Sequence, residues 1–313
     1  MLRTAESVSP KHPDKICDRI SDAILDEALR QDPESRVAIE VMGGHGIVSI
    51  TGEMTTKAYI SIRDIAKRIA GNIGVQVNVV QQSPDIAQGV DQGGAGDQGI
   101  MVGYACDETP QKMPLEVMVA RNLCDFIYSV YPYDGKTQVT LEDGEIKTVV
   151  ASFQNTKQED LKSLVEDWVR DDSVEIYCNP AGDWTTGGFD ADTGVTGRKL
   201  MVDNYGPRVP IGGGAFSGKD PTKVDRSAAY AARNLAVRML DKHRAKEVFV
   251  YLAYAIGRAM PVQATAIIDG VEMNIDPTTL TPVNIIETLN LRKPQYEKTA
   301  EWGHFGNNFT WDK

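Results

Sequence analysis

The sequence predicts an α/β protein built from three similar units, and three observations support this prediction. The chain has 313 residues, which exceeds the roughly 100 to 200 residues of an ordinary domain. Apolar spacing predicts the order helix, strand, strand, helix, strand twice, and the same order begins a third time. Polar, glycine-rich connectors separate these units at 81–99 and 182–219. A coincidence of common α+β motifs is the alternative that this pattern leaves open.

The first unit follows from a change in apolar period along the chain. Ile16, Ile20 and Ile24 recur every four residues, which predicts a helix. The segments after this helix alternate apolar and polar residues, which predicts strands. In chain order the expected elements are a helix at 13–31, strands at 36–42 and 46–54, a helix around Ile65, and a strand at 75–79.

Two further units repeat this order. The second is predicted to contain a helix at 114–130, strands at 137–141 and 146–152, a helix at 158–170, and a strand at 174–178. The third is predicted to contain a helix at 221–243, strands at 248–256 and 262–269, and a helix at 282–289. Each unit would offer a small antiparallel sheet with helices on one face, so another unit or subunit must cover the bare face. This favours a homo-oligomer.

The composition argues against several classes of protein. There are 33 Lys and Arg against 44 Asp and Glu, a net charge of −11, which argues against a general nucleic-acid or anionic-membrane surface. The four cysteines form no CxxC pair, so we expect reduced thiols rather than a disulfide framework. The longest apolar run, 248–256, is too short to cross a bilayer, and the first residues lack the apolar core of a signal peptide. We therefore expect a soluble, cytoplasmic protein that binds neither nucleic acid nor membranes.

Residues 213–219 fit the G-x-x-x-x-G-K core of a phosphate-binding loop. Position 220 is Asp, whereas that motif requires Ser or Thr as a magnesium ligand. Asp220 and Pro221 are typical of a helix start, and the N-terminus of that helix would direct free N–H groups at an anion in the loop. The motif alone does not separate a phosphate site from a flexible surface loop in front of a well-capped helix.

Further segments carry residue types that a triphosphate site needs. His12 and Asp14 open the first helix, where an acidic residue also interacts favourably with the helix dipole. Asp14 and Asp225 offer the carboxylate oxygens that magnesium prefers and that the loop lacks. Residues 93–99 are too rich in glycine for a core strand, which indicates either a plain turn or a close approach of backbone to a ligand. Residues 197–199 add adjacent cations to an acidic protein.

Together these segments resemble the S-adenosylmethionine synthetase (methionine adenosyltransferase) family. The resemblance runs in order from Glu6 nearly to the C-terminus. It is carried by residues 6–9, 12–15, 82–86, 94–99, 196–199, 212–220, 223–230 and 303–306. It implies the S-adenosylmethionine synthetase fold, in which three similar α/β subdomains surround a pseudo-threefold axis, here expected at 1–92, 93–185 and 186–313. It also implies a homodimer with active sites at the subunit interface, or a pair of such dimers.

The resemblance further implies an enzyme, a methionine adenosyltransferase, with ATP and L-methionine as substrates. In that reaction the methionine sulfur attacks C5′ of ATP and displaces the whole triphosphate, which is then hydrolysed to phosphate and pyrophosphate. Such a displacement needs no protein nucleophile, so catalysis must come from alignment of the reactants and from stabilisation of charge on the leaving oxygen. The family also implies two Mg²⁺ ions per site, and K⁺.

The family motifs imply roles for individual residues of this chain. Catalytic contacts to the triphosphate would come from His12, Arg198, Lys199 and Lys219. Asp14 and Asp225 would bind magnesium, and Glu40 would bind potassium. The other ATP contacts would be Asp134, Lys136, Asp183, Trp184, Asp192 and Ala215. Methionine would be held by Glu53, Gln82, Asp97, Asp192 and Lys223.

The chain departs from the family pattern at two places. Many relatives carry Arg-Phe where this chain has Asp183 and Trp184, so the aromatic ring is kept and the cation is lost. Stacking of a base on such a ring contributes roughly 1 to 3 kcal/mol. The segment that forms a mobile gate in relatives is cut here to little more than 87–93, which is expected to change water exclusion or product release. A nucleotide-binding subunit without activity and an ordinary phosphate-loop ATPase are the alternatives, and neither explains the full set of residues.

Overall fold

The computed structural model describes residues 1–82 and 93–313. In this part the strands are β1 (Leu2–Val8), β2 (Arg36–Gly44), β3 (Ile47–Thr55), β4 (Gly74–Val80), β5 (Gly99–Cys106), β6 (Gly135–Glu142), β7 (Glu145–Phe153), β8 (Glu175–Cys178), β9 (Gly194–Val195), β10 (Glu247–Tyr254), β11 (Gln263–Ile268) and β12 (Val271–Asn274). The α-helices are α1 (Pro13–Gln31), α2 (Ile62–Ala70), α3 (Leu115–Val130), α4 (Gln158–Val169), α5 (Leu200–Asp203), α6 (Val224–His243), α7 (Pro282–Thr288) and α8 (Thr299–Trp302).

The strands form three four-stranded sheets, in the orders β4-β3-β2-β9, β1-β6-β7-β8 and β12-β11-β10-β5. Each sheet contains one strand from a neighbouring part of the chain, because β1 pairs with β6, β5 with β10, and β9 with β2. The exchange is cyclic: the first third lends a strand to the second sheet, the second third to the third sheet, and the last third to the first sheet. Three α/β subdomains are therefore present, as the sequence predicts, but none has a complete sheet of its own. The predicted boundaries at 92/93 and 185/186 stay predictions.

The prediction of purely antiparallel sheets is wrong for two of the three. β3 pairs with β4 in parallel, and so does β7 with β8. Helices α2 and α4 form the crossovers that parallel neighbours require. The third sheet is antiparallel throughout. Its strands β11 and β12 are joined directly through Asp269 and Gly270, which both have positive φ. A two-residue turn of this kind suits the twist of a hairpin.

Most predicted helices and strands lie within a few residues of their expected positions, and α1 covers 13–31 as predicted. Four strands were not predicted: β1, β5, β9 and β12. The last six residues of β5 are all buried, so the strand lacks the alternating pattern that marks a half-exposed one. β5 packs so closely on α6 that a Cβ at Gly103 would lie 2.1 Å from the backbone of Ala232. Glycine at this position permits that contact.

Two long helices carry the predicted magnesium ligands in their first turns. Helix α1 is buried along most of its length and packs against β2, β9 and α8. Helix α6 packs against β5 and β10. The N-termini of both helices face loops of the C-terminal third, and these loops hold most of the predicted phosphate contacts. The fold therefore places both helix starts where an anion could be bound.

Two expectations from composition concern cysteines and membranes. All four cysteines are free and buried: Cys17, Cys106, Cys124 and Cys178. Within residues 1–82 and 93–313, no helix has the length and apolar character needed to cross a membrane.

Candidate active site

Asp14 and Lys199 form a buried ion pair at the start of α1. The Asp14 side chain is 1% exposed, and the Lys199 Nζ lies 2.5 Å from its Oδ2. The backbone N–H of Val195 donates to its Oδ1 at 2.9 Å, and the Arg198 Nε lies 3.5 Å from the same oxygen. Burial opposes the charge of Asp14, but the hydrogen bonds from Lys199 and Val195 outweigh it and hold the pKa of this carboxyl below its usual value. Asp14 is therefore an anion at neutral pH.

His12 precedes α1 and is held as a neutral imidazole. Burial and the positive charge of Lys199 lower the pKa of His12 to about 4, although Asp14 raises it. The charge of Lys136 also lowers this pKa, and that of Asp192 raises it. The Nδ1 of His12 accepts the N–H of Asp14 at 3.2 Å. Since Nδ1 is an acceptor, the neutral ring carries its proton on Nε2, where it can be donated to an oxygen of a ligand.

Lys219 and Asp225 form a second ion pair at the start of α6. The Lys219 Nζ lies 2.7 Å from the Asp225 Oδ2, and both side chains are 20% exposed. The glycine-rich loop covers this carboxylate closely, because a Cβ at Gly214 would lie 2.4 Å from it. The loop thus needs glycine at this position. Its terminal lysine and the first turn of α6 face each other, as a phosphate-binding loop would require.

Asp220 has a different role from the one predicted. Helix α6 begins at Val224, so the predicted start at Pro221 with Asp220 as its cap is wrong. The Asp220 side chain is fully buried and accepts the N–H of Val37 at 2.7 Å, while the Lys223 Nζ lies 2.5 Å from the same oxygen. Its Oδ1 accepts the N–H of Thr222 at 2.9 Å, so the carboxylate caps the turn at 220–223 and not α6, which begins at Val224. Asp220 anchors the loop to β2, which explains why this position is not Ser or Thr.

The two lysine-bearing loops lie side by side. A Cβ at Gly197 would lie 2.5 Å from the Cβ of Ala215. Both loops are also attached to β2: Thr196 exchanges hydrogen bonds with Val41, and Lys219 forms an isolated antiparallel bridge with the strand. The structure therefore brings the segment 197–199 next to the segment 215–219, although no hydrogen bond or ion pair of the described residues joins the two ion pairs themselves.

The predicted adenosine contacts surround the end of β7 and the loop after β8. Asp134 accepts the N–H of Gly188 at 2.8 Å, and burial raises the pKa of this carboxyl. The Trp184 ring is partly buried, and its Nε1 donates to the Asn179 side chain at 3.2 Å. This hydrogen bond fixes the orientation of the ring, and its predicted stacking on the base stays a prediction.

Asp183, by contrast, has a structural partner. Its exposed carboxylate accepts the N–H of Gln158, the first residue of α4, at 2.8 Å. A carboxylate in this place satisfies a free N–H and complements the dipole of the helix. Its predicted contact with ATP stays a prediction.

Glu40 and Glu53 share the uncovered face of the first sheet. Glu40 is exposed on β2, and the Thr196 Oγ1 donates to its Oε2 at 2.5 Å. Ala38, two residues earlier, lies opposite Glu53 of β3. Residues two apart on a strand point to the same side of the sheet, so Glu40 shares its side with Ala38. Directly opposite residues also share a side, so Glu53 lies on that side too. The predicted potassium and methionine ligands of this sheet therefore lie on one face.

The other predicted methionine contacts are spread over the chain. Gln82 is partly exposed after β4, Asp97 and Asp192 are exposed, and Lys223 pairs with Asp220. In the ranges that the structure describes, no hydrogen bond or ion pair joins these side chains to one another. The motif residues 83–86 and the predicted gate at 87–93, except Gly93, lie outside the described residues.

Comparison with known proteins adds evidence that the geometry does not contain. Three family models match nearly the whole chain: S-adenosylmethionine synthetase, N-terminal domain, at residues 1–90; central domain at 92–184; and C-terminal domain at 186–313. The chain belongs to the S-adenosylmethionine synthetase family. This confirms the resemblance on which the site residues were predicted. Family membership also implies metal-dependent catalysis.

Relatives named S-adenosylmethionine synthase are similar over nearly their full length. The protein of Pseudothermotoga lettingae is 42% identical over 379 residues, covering 99% of this chain and 96% of the relative. Those of Helicobacter hepaticus and Thermus thermophilus are 41% and 40% identical, each covering 100% of this chain and 95% of the relative. The alignments are longer than the 313 residues of this chain, so these synthases contain segments that this family member lacks.

The sequence analysis missed two residues that hold the loops of the candidate site. Asp18 accepts the N–H of Gly197 at 2.8 Å, and Asp22 accepts the N–H of Gly218 at 2.8 Å. They follow Asp14 in α1 at intervals of four residues, and this interval is visible in the sequence. Only the fold reveals the loops that they contact.

The donor sets of this family member fit magnesium that is shared with phosphate. Among the described residues, no group of three or more His, Cys, Asp or Glu side chains is arranged to hold a metal ion. Asp14 and Asp225 each stand beside a lysine instead. Magnesium commonly takes one or two protein carboxylates and completes its octahedron with substrate phosphates and water. Two separate aspartates match that mode of binding.

Proposed function

We propose that this protein forms S-adenosylmethionine from ATP, L-methionine and water. The methionine sulfur attacks C5′ of ATP, and the displaced triphosphate is hydrolysed in place to phosphate and pyrophosphate. The observation that carries the proposal is the pair of adjacent loops whose lysines, Lys199 and Lys219, face aspartates in the first turns of two long helices. Family membership over the whole chain supports the same reaction.

The side chains serve the leaving group rather than the nucleophile. Neutral His12 donates its Nε2–H to the oxygen that leaves C5′, because its Nδ1 is already an acceptor. Lys199 and Lys219, together with Arg198, neutralise the phosphates. Such preorganised charges lower the barrier without a covalent intermediate. The same residues hold the triphosphate during its hydrolysis.

Magnesium and potassium complete the proposed site. Asp14 and Asp225 bind two Mg²⁺ ions, which screen the negative charge of the triphosphate when bound. Glu40 binds K⁺ at the exposed face of the first sheet. This proposal rests on the donor types, since carboxylates suit both cations.

The substrate contacts belong to the same proposal. Asp134, Lys136, Asp183, Trp184, Asp192 and Ala215 contact ATP beyond its phosphates. Glu53, Gln82, Asp97, Asp192 and Lys223 hold methionine, with carboxylates for its amine and a cation for its carboxylate. Carboxylates also suit the sulfonium charge of the product.

We also propose a homodimer, or a pair of such dimers, in the cytoplasm. Glu40 and Glu53 lie on a sheet face that the chain leaves uncovered, and this face also exposes Met42 and Val80, which are 53% and 56% exposed. A second copy that packs on this face would bring its own loops at the starts of α1 and α6 next to Glu40 and Glu53. Active sites would then lie at the subunit interface.

One assay tests the proposed reaction against its two alternatives. The purified full chain is incubated with ATP, Mg²⁺, K⁺ and methionine, and the products are identified by mass spectrometry. We expect a sulfonium product that requires methionine, together with phosphate and pyrophosphate. Phosphate release that is indifferent to methionine would favour an ordinary ATPase, and nucleotide binding without turnover would favour an inactive subunit.

A further inference from the structure

Four aspartates form a ladder along one side of α1. They recur every four residues and are each 7% exposed or less: Asp14, Asp18, Asp22 and Asp26. Residues four apart in a helix lie above one another on the same face. Each aspartate accepts one or more backbone N–H groups from the C-terminal third of the chain, from Val195, Gly197, Gly218, and the three residues 295–297 respectively. The ladder thus attaches α1 to three separate loops.

Asp18 fixes the peptide unit that precedes two catalytic cations. Its Oδ1 accepts the N–H of Gly197 at 2.8 Å, and Gly197 has a φ of +78° that only glycine adopts freely. Arg198 and Lys199 follow directly. Burial raises the pKa of Asp18 to about 7, although Lys15 and the N–H of Gly197 lower it.

Asp22 fixes the other lysine-bearing loop. Its Oδ1 accepts the N–H of Gly218 at 2.8 Å, directly before Lys219. The guanidinium of Arg226 binds both oxygens of Asp22, at 2.6 and 2.8 Å, and also donates to the Lys219 carbonyl at 3.1 Å. Arg226 in turn follows Asp225 in α6. One buried carboxylate therefore ties together α1, the glycine-rich loop and the first turn of α6.

We propose that Asp18 and Asp22 are positioning residues for the transfer reaction, which hold the peptide units of Gly197 and Gly218 and thereby place Lys199 and Lys219. The inference rests on the proposed function, because it assigns the two loops to the triphosphate. Neither aspartate touches substrate, and both act through the neighbouring lysines. Misplacement of a catalytic group by about 1 Å costs on the order of 100-fold in rate.

Asp26 provides a matched control within the same ladder. It has the same chemistry and spacing and accepts N–H groups of Gln295, Tyr296 and Glu297. The segment 295–297 contains none of the predicted site residues. Loss of Asp26 therefore tests what an aspartate of this helix contributes to stability alone.

The experiment compares Asp18→Ala, Asp18→Asn and Asp26→Ala in the full chain, with kcat, KM and hydrogen exchange over 194–199 as readouts. Asp22→Ala is less suitable, because it removes the anionic partner of the buried Arg226 guanidinium. We expect Asp18→Ala to lower kcat about 10- to 100-fold with smaller changes in KM, and to speed exchange over 194–199. Asp18→Asn retains an acceptor oxygen, so its kcat and its exchange over 194–199 are expected to be close to those of the wild type. Asp26→Ala is expected to lower stability while kcat and this exchange stay near wild type.

The readouts separate this inference from the proposed function. A wild-type chain that makes no methionine-dependent sulfonium product overturns the proposed function, and hydrogen exchange then still decides whether Asp18 holds the loop. Unchanged exchange over 194–199 in Asp18→Ala overturns the positioning role. If the wild type is active, the positioning role is also overturned when Asp18→Ala keeps the wild-type kcat, or when Asp26→Ala loses as much kcat as Asp18→Ala.

Discussion

The two lysine–aspartate pairs at the starts of α1 and α6 contain the same residue types but differ in their surroundings. Asp14 is 1% exposed and receives a backbone N–H as well as Lys199, with Arg198 nearby. Asp225 is 20% exposed, and Lys219 is its one hydrogen-bond donor within the described ranges. A buried pair with several partners is part of the fold, whereas a half-open pair can exchange its partner for a ligand. The pair at α1 therefore contributes to the fold as well as to the proposed site, whereas the pair at α6 is expected to serve mainly the proposed site.

The largest expected effect comes from removing either lysine. Lys199→Met and Lys219→Met should each lower kcat by about 100- to 1,000-fold, because each removes a preorganised charge from the leaving group. Their stabilities should differ. Lys199→Met leaves Asp14 buried without its hydrogen-bonded cation, at a cost of about 3 to 5 kcal/mol. Lys219→Met leaves a carboxylate that water can reach and costs about 0 to 1 kcal/mol. Steady-state kinetics and urea unfolding measure the two quantities.

This comparison has a clear point of failure. Equal losses of unfolding free energy in the two variants would show that the environments of Asp14 and Asp225 do not differ as described. Unchanged activity in Lys219→Met would remove Lys219 from the site. Replacement of Lys112, whose partner Asp241 is distant from both loops in sequence, is a suitable control for loss of a surface ion pair.

A smaller effect is expected in the magnesium requirement. Asp225→Asn should raise the Mg²⁺ concentration for half-maximal activity by about 10- to 100-fold, since even outer partners of a metal ligand contribute that much. Excess Mg²⁺ should restore most of its activity because the fold is unaffected. Asp14→Asn should also lose stability, and excess Mg²⁺ should not rescue it, because the same carboxylate holds Lys199. Rescue of both variants to the same extent would contradict this distinction.

The sequence predicted the elements better than their partners. Helix α1 follows from its apolar period, and the glycine-rich loop follows from its motif. The exchanged strands β1, β5 and β9 were missed, because their pairing depends on distant parts of the chain rather than on local alternation. The parallel pairings of β4 with β3 and of β8 with β7 were missed for the same reason.

The site shows the same limit. Asp14 and Lys199 are 185 residues apart, and no local pattern predicts that they form a pair. Asp220 was interpreted as the cap of a helix starting at Pro221 because its sequence context is typical of one, whereas α6 begins at Val224 and the carboxylate accepts the N–H groups of Val37 and Thr222. The family resemblance supplied residue roles that spacing could not. The difference in burial between the two aspartates required the fold.

The smallest expected effect concerns how the loop at 194–199 is attached to β2. The glycine-rich loop is attached by the Asp220 carboxylate, whereas the loop at 194–199 is attached by the Thr196 hydroxyl, which accepts the Val41 N–H at 2.9 Å and donates to Glu40 at 2.5 Å. Thr196→Val keeps the shape but leaves a buried N–H without an acceptor, so we expect a loss of about 1 to 3 kcal/mol of unfolding free energy. The kcat should change less than in either lysine variant, because Asp14 and Asp18 still hold the loop. Thr196→Ser retains the hydroxyl and should behave as wild type. A shift in the potassium concentration for half-maximal activity in Thr196→Val that is absent in Thr196→Ser would support Glu40 as the potassium ligand. A loss of kcat in Thr196→Val as large as that of Lys199→Met would contradict this expectation, because the hydroxyl, rather than the aspartates of α1, would then be the main support of this loop.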